Sequence, residues 1–234
     1  MYQFSIALEN SNSCTYGISD WEVQEGFFGA PLASMTPEQR ENARELLIRK
    51  LSRVVLYATD MPVADYPAYI RFFRNAHMLG ILNVKLSAKA IAGASSREIS
   101  KIVAIGESFS IGVLFELEAA SIASFDLEQY AAVRTEYTGL VLNPVELLKA
   151  GIAPYNKILS KTRFASDIRF LRVCDAVAES GVPAALGKGN CELKECTSKL
   201  LTRTFNGWFA FAPYGAEMPQ DQIIGDFTDM LCRM

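Results

Sequence analysis

One lysine in this chain has a sharp chemical consequence. Lys157 lies in Tyr155-Asn156-Lys157-Ile158-Leu159-Ser160, a short run whose composition predicts a β-strand,. A strand enclosed by neighbours turns each side chain into the barrel or toward the covering helices, so the ammonium would be buried on either side. An unpartnered buried lysine loses its proton, and a neutral amine at pH 7 attacks ketones and aldehydes. The competing reading pairs Lys157 with an inward carboxylate such as Glu116, or lets its stem reach the rim. Glu116 and Glu118 share one face of a predicted strand, and Glu136 with Tyr137 ends another. All four are candidates for acid, base or hydrogen-bonding work beside the lysine.

Other chemistry is thinly represented. His77 is the only histidine, so no multi-histidine metal centre and no imidazole-based nucleophile relay can be assembled,. It falls near the end of a predicted helix, where the dipole favours it. Gly187-Lys188-Gly189-Asn190 offers either backbone N–H groups and a cation to an anion, or a plain loop without the spacing of a phosphate loop,. Lys199 and Arg203 share a helix face. Neither a metal nor an organic cofactor is expected.

The elements that must position these groups alternate between short apolar runs and helical periodicity, the pattern of repeated βα units. Eight candidate strands read as Phe27–Leu32, Arg53–Tyr57, Ile81–Leu86, Ile111–Leu117, Ala131–Glu136, Pro154–Leu159, Val182–Leu186 and Gly207–Phe211. Thr36-Pro37-Glu38-Gln39 carries a capping box, and Asn143-Pro144 and Pro219 open later helices,. Ile168, Leu171, Cys174, Val177 and Ala178 fit one face of another helix. The turn after the first strand, Ala33-Ser34-Met35-Thr36, lacks the glycines of a doubly wound dinucleotide fold, so the α/β architecture predicted is a (β/α)8 TIM barrel over residues 27–234,. Residues 1–26 hold two alternating segments, Tyr2–Leu8 and Cys14–Val23, which read as an N-terminal β-hairpin preceding it.

Composition narrows the partners. The 234 residues are 50% hydrophobic, and 23 Lys+Arg face 26 Asp+Glu for a net charge of −3 without long like-charge runs. Nucleic acid is therefore not an expected partner. Charged residues recur within every apolar stretch, so no membrane span is expected. Five cysteines without a CxxC pair, and no basic-then-apolar leader, point to a reducing cytoplasmic setting,. Trp21, Phe27, Phe28 or Trp208 would, if exposed, be anchors for an assembly, a homodimer among them, although aromatics at such places are more often core.

Lys157-Ile158 with Asp167 ten residues after the lysine, and Ser198-Lys199 before Phe209-Ala210-Phe211-Ala212-Pro213-Tyr214-Gly215 and Met218-Pro219-Gln220, resemble the type I 3-dehydroquinate dehydratases, Schiff-base barrels of the shikimate pathway. Ala30-Pro31-Leu32, Asp60, Glu116-Leu117 and Asn143-Pro144 are similar in outline. The resemblance implies a lyase in which Lys157 condenses with a small carbonyl substrate, Glu136 or Tyr137 moves the proton, and Glu116, Thr138, Lys199 and Gln220 line the substrate site. Thr138 stands where the family has its proton-shuttling histidine and Lys199 where it has a carboxylate-binding arginine, while Leu56, Ala58 and Ser87 replace further charged groups. General acid–base catalysis is worth about 10²- to 10⁴-fold, so loss of that histidine would slow dehydration severely. The resemblance thus leaves open a dehydratase or aldolase-like lyase and a catalytically inactive relative that binds a metabolite or a protein.

Overall fold

The structure, a computed structural model, describes residues 2–117, 127–161, 163–178, 180–212 and 219–234. Eight strands, β1 (Gln3–Ala7), β2 (Asp20–Gln24), β3 (Arg53–Thr59), β4 (Asn83–Leu86), β5 (Gly112–Leu117), β6 (Thr138–Leu142), β7 (Ile168–Arg172) and β8 (Trp208–Phe211), follow one another around a closed barrel. The described pairings are parallel. The helices between them include α1 (Pro37–Arg49), α2 (Tyr66–Met78), α3 (Ala88–Ile91), α4 (Ser96–Ser108), α5 (Leu127–Val133), α6 (Pro144–Lys149), α7 (Leu193–Leu201) and α8 (Gln220–Cys232). The expected (β/α)8 TIM barrel is the observed fold. Among the described residues no helix is long and apolar enough to cross a membrane.

Four of the eight expected strands, Arg53–Tyr57, Ile81–Leu86, Ile111–Leu117 and Gly207–Phe211, are found as β3, β4, β5 and β8, and the other four are not. Tyr2–Leu8 and Cys14–Val23 do not form a hairpin: β1 and β2 run parallel, with Ile6 beside Trp21, and are the first two staves of the barrel. Phe27–Leu32 is not a strand, because Gly26 and Gly29 take positive φ values of 86° and 81° and fold the segment into turns,. Ala131–Glu136 begins as the end of α5, and Thr138–Leu142 supplies the strand instead. Pro154–Leu159 forms a π-helical turn. The seventh strand is Ile168–Arg172, part of a segment whose apolar spacing reads equally well as a helix. Val182–Leu186 is loop, holding one isolated bridge from Pro183 to Ala176.

Helix starts follow the expected chemistry. At α1 the Gln39 amide donates to Thr36 Oγ1 at 3.2 Å, and the Thr36 amide donates to Gln39 Oε1 at 2.9 Å. Ser95 and Glu98 repeat this box at α4. Such a cap stabilises a helix by about 1 kcal/mol.

Contacts gather the chain into two compact units, one built largely from residues 5–116 and one largely from residues 140–234. In the first, Tyr69, Phe72 and Phe73 of α2 are fully buried, and Tyr57 of β3 packs edge-on against Phe72 at 5.6 Å. Asn75 ties α2 inward by donating to the Leu32 carbonyl at 2.7 Å while accepting from Arg40 of α1 at 2.9 Å. In the second, Phe209 and Phe211 of β8 pack on Phe227 of α8 at 4.9 and 5.9 Å. Trp208, on the opposite face of that strand, stacks on Phe170 of β7 at 4.9 Å. Trp21 is buried against Phe27 and Trp208 is half-buried, the core placement that aromatics at such positions more often take.

Candidate functional site

Strand register decides which side chains face the barrel interior. Parallel partners point the same way, and successive residues alternate. Tyr57 faces α2, so its neighbour Ala58 faces inward, and with it the registered Lys85 of β4 and Leu114 of β5. Glu116, two residues beyond Leu114, shares that face. Glu22 of β2 is registered with Leu56, two residues before Ala58, and joins it as well. Lys85 and Glu116 each stand one residue before the end of their strands, at the carboxyl end where barrels of this type carry their chemistry,.

These inward groups are paired. Lys85 Nζ engages Glu116 Oε2, with the lysine side chain 16% exposed and the glutamate side chain 6% exposed. Glu22 is 4% exposed, and the fully buried Ser5 hydroxyl donates to its Oε1 at 2.6 Å. Asn83 donates across to the Val55 carbonyl at 2.9 Å. Two buried carboxylates and one nearly buried ammonium on one apolar strand surface are costly unless partnered, which explains why each has a defined partner. The lysine side chain, not fully enclosed, is the more exposed member of its pair.

The residues expected to do chemistry lie elsewhere, Glu116 excepted. Lys157 is exposed on the π-helical turn, outside any strand, so the burial that would have neutralised its amine is missing. Glu136 is exposed in the loop before β6; Tyr137 there accepts the Val113 amide through its carbonyl at 2.7 Å. Thr138 opens β6, its hydroxyl donating to the Thr135 carbonyl at 2.9 Å. All three sit at the amino end of their strand, the wrong end for catalysis. Lys199 belongs to α7 and lines a surface groove of about 440 Å³ with Tyr155, Lys194, Ser198 and Thr202. Gln220 starts α8; its side-chain nitrogen is enclosed without a hydrogen-bond partner among the described residues. Asp167 ends a short 3-10 turn before β7. Glu118 and Tyr214 lie outside the described residues. His77 lies in the last turn of α2 as expected, its Nδ1 3.0 Å from the Phe109 carbonyl at the end of α4.

The Gly187–Asn190 loop has its anion already. Asp175, 2% exposed after β7, accepts the Gly187 and Gly189 amides on Oδ2 at 2.9 and 3.0 Å, and the Ala176 and Cys191 amides on Oδ1, each at 3.0 Å. A groove of about 730 Å³ beside it is lined by Tyr155, Asn156, Asn190, Glu192 and Lys194. The Glu192 carboxylate there is spent on the Tyr155 and Asn156 amides at 2.8 and 3.1 Å. These acidic groups hold loops together.

Sequence reasoning missed Lys85, Glu22, Ser5 and Asp175. A signal existed for Lys85: Asn83-Val84-Lys85-Leu86 alternates polar and apolar residues inside a correctly expected strand, which places a lysine on the face opposite Val84. Burial raises several groups above their ordinary range: the Cys191 thiol, with a smaller contribution from Cys174; the Cys196 thiol, helped by Glu192 and Glu195; and the Tyr57 and Tyr69 phenols, helped by Glu25. All five cysteines are free thiols. Among the described residues no three His, Cys, Asp or Glu side chains converge to hold a metal ion.

No family model matches the sequence, and no curated protein matches it. Solved structures do match. A xylose isomerase domain protein from Planctomyces limnophilus superimposes with a TM-score of 0.71 at 12% identity, over 99% of this chain and 96% of that one. A D-tagatose 3-epimerase-like protein gives 0.68 at 13% identity, over 97% of each chain. A xylose isomerase-like TIM barrel protein from Mycobacterium smegmatis, in complex with magnesium, gives 0.67 at 14% identity, over 92% of this chain and 85% of that one. These neighbours, together with the exposed Lys157, overturn the resemblance to 3-dehydroquinate dehydratases and the Schiff-base lyase it implied, and with them the inactive dehydratase relative. At such identities the likeness establishes the fold alone, a TIM barrel.

Proposed function

We propose that this barrel is an isomerase or epimerase that shifts a proton on a small hydroxy-carbonyl compound such as a sugar, with Glu116 as the proton-transferring carboxylate. The observation that carries this reading is the Lys85–Glu116 pair, held on the inward face at the carboxyl ends of adjacent strands. Matched structures named as a xylose isomerase domain protein and a D-tagatose 3-epimerase-like protein support the reaction class. In the proposed step Glu116 takes the proton from the carbon next to the carbonyl. The electron pair moves onto the carbonyl oxygen to give an enediolate. Glu116 returns the proton to the former carbonyl carbon while the hydroxyl proton passes to the neighbouring oxygen, or, once the enediolate has turned over, returns it to the other face of the original carbon. Net atoms and charge are unchanged, as isomerisation requires.

The test is exchange in D2O. The protein is incubated with a panel of aldoses and ketoses, and loss of the C–H signal next to the carbonyl is followed by NMR. The expected result is protein-dependent exchange that slows by about 10²- to 10⁴-fold in Glu116→Gln, the usual worth of a general base. No exchange with any member of the panel, or an unchanged rate in a folded Glu116→Gln protein, overturns the reading.

A further inference from the structure

A fixed positive charge beside a proton-transferring carboxylate has a use of its own. One matched neighbour was solved with magnesium, and an ion of that kind is held by several oxygen ligands, carboxylates foremost. The inward face here is built differently. Glu116 already carries the ammonium of Lys85, the single imidazole of the chain sits at the outer end of α2, and no three-residue metal-ligating set forms among the described residues. A dication approaching Glu116 would have to displace a like charge, so this donor set does not fit one.

We infer that Lys85 is the resident cation of this barrel, its ammonium doing at the carboxyl end of β4 what a bound divalent ion does elsewhere: it draws in the carbonyl or hydroxyl oxygen of the substrate and stabilises the oxyanion formed when the proton leaves carbon. The inference rests on the reading of Glu116 as the base and deepens it. The placement is suited to the task. Lys85 is anchored by register to Ala58 on one side and Leu114 on the other, and neither offers a side-chain acceptor. Among the described residues Glu116 is the one partner of its ammonium, which leaves further N–H donors for a ligand oxygen,. At 16% exposure the side chain is reachable by a small molecule, whereas at 6% Glu116 is not displayed to bulk water. Preorganised charge of this kind acts where negative charge develops.

Two measurements decide it. In the first, exchange is recorded before and after chelation with EDTA and after re-addition of magnesium or manganese. The expected rate is the same in all three states, while Lys85→Met loses about 10²-fold or more and Lys85→Arg keeps part of the activity. Loss on chelation with recovery on metal addition overturns the inference, as does an unchanged rate in a folded Lys85→Met protein. In the second, Mn²⁺ alone is titrated and followed by EPR in the wild type and in Glu116→Gln. Mn²⁺ that stays free, or that is retained equally by both proteins, supports Lys85 as the resident cation; retention that Glu116→Gln abolishes overturns it. Should no compound exchange at all, the functional reading fails by itself, and the Mn²⁺ titration still decides which cation belongs to Glu116.

Discussion

The Ser5 hydroxyl and the Glu22 carboxylate meet at 2.6 Å across the first two strands, with Ser5 fully buried and Glu22 4% exposed. The contact is possible only because β1 and β2 are parallel neighbours in register, Ala7 beside Glu22. It fixes a charged group on the inward face two strands away from the Lys85-bearing stave. Ser5→Ala removes a donor from a buried carboxylate without changing the fold's shape. The expected cost is about 1–3 kcal/mol, read as a lower urea midpoint with an unchanged slope. Pairing it with Glu22→Gln in a double-mutant cycle should show coupling; strict additivity would mean that the two groups do not support each other.

A second prediction concerns Asp175 and the loop it gathers. Its two oxygens satisfy four backbone amides, two of them from Gly187 and Gly189. Asn in its place has one acceptor oxygen, and its amide nitrogen would point donors at donors. Asp175→Asn is expected to destabilise the protein by about 2–4 kcal/mol and to open the 187–191 segment to proteolysis before the rest of the chain. Gly189→Ala should act in the same direction, because a Cβ there would run into the Asp175 carboxylate and the Ala176 backbone. Resistance of both variants to limited proteolysis at wild-type levels would contradict this account.

The buried thiols and phenols set the response to alkali. Cys191 and Cys196 are held above the ordinary thiol range, chiefly by burial, and Tyr57 and Tyr69 above the ordinary phenol range for the same reason. In the unfolded chain these groups release protons at their ordinary values while the folded protein retains them. The unfolded state therefore binds fewer protons at high pH, and stability must fall as pH rises past about 8.5, the ordinary thiol value. Urea midpoints between neutrality and alkaline pH should show this decline, and Cys196→Ala should make it shallower. At mildly alkaline pH a thiol reagent should label exposed Cys14 and Cys232 quickly, and Cys191 and Cys196 only on unfolding,.

How much of this was legible in the sequence follows from which signals are local. β3, β4, β5 and β8 are short apolar runs bounded by turn residues, and periodicity locates them. Thr138–Leu142 is just as buried, but Gly139 interrupts its apolar run and Tyr130 and Val133 just before it sit at helical spacing. Ile168–Arg172 lies in a stretch whose apolar positions satisfy both periods; only its pairing with Leu140 and Phe170's neighbour Trp208 resolves the matter. The Lys157 segment reads as strand because Tyr, Ile and Leu are strand formers, yet Pro154 and the Glu192 carboxylate on the Tyr155 and Asn156 amides favour a helical turn. That long-range contact, spanning about 37 residues, is invisible to any local window,. The eight-stave architecture could be read, and Glu116 with it, whereas the groups that share its inward face were missed, because inward and outward faces are assigned by register and not by composition.

Lys157 supplies the last test. Its side chain is exposed, its backbone amide donates to the Ala153 carbonyl at 2.9 Å, and that bond survives any change of side chain. Lys157→Ala should therefore alter stability by no more than about 0.5 kcal/mol, the usual range for a surface position, and should leave proton exchange within about two-fold of wild type. Borohydride added with an aldehyde or ketone should mark Lys157 no faster than other exposed lysines such as Lys50 and Lys101, as peptide mass mapping would show. A selective adduct at Lys157 would require its amine to be desolvated in solution, and that would place the π-helical turn, not the Lys85–Glu116 pair, at the centre of the chemistry.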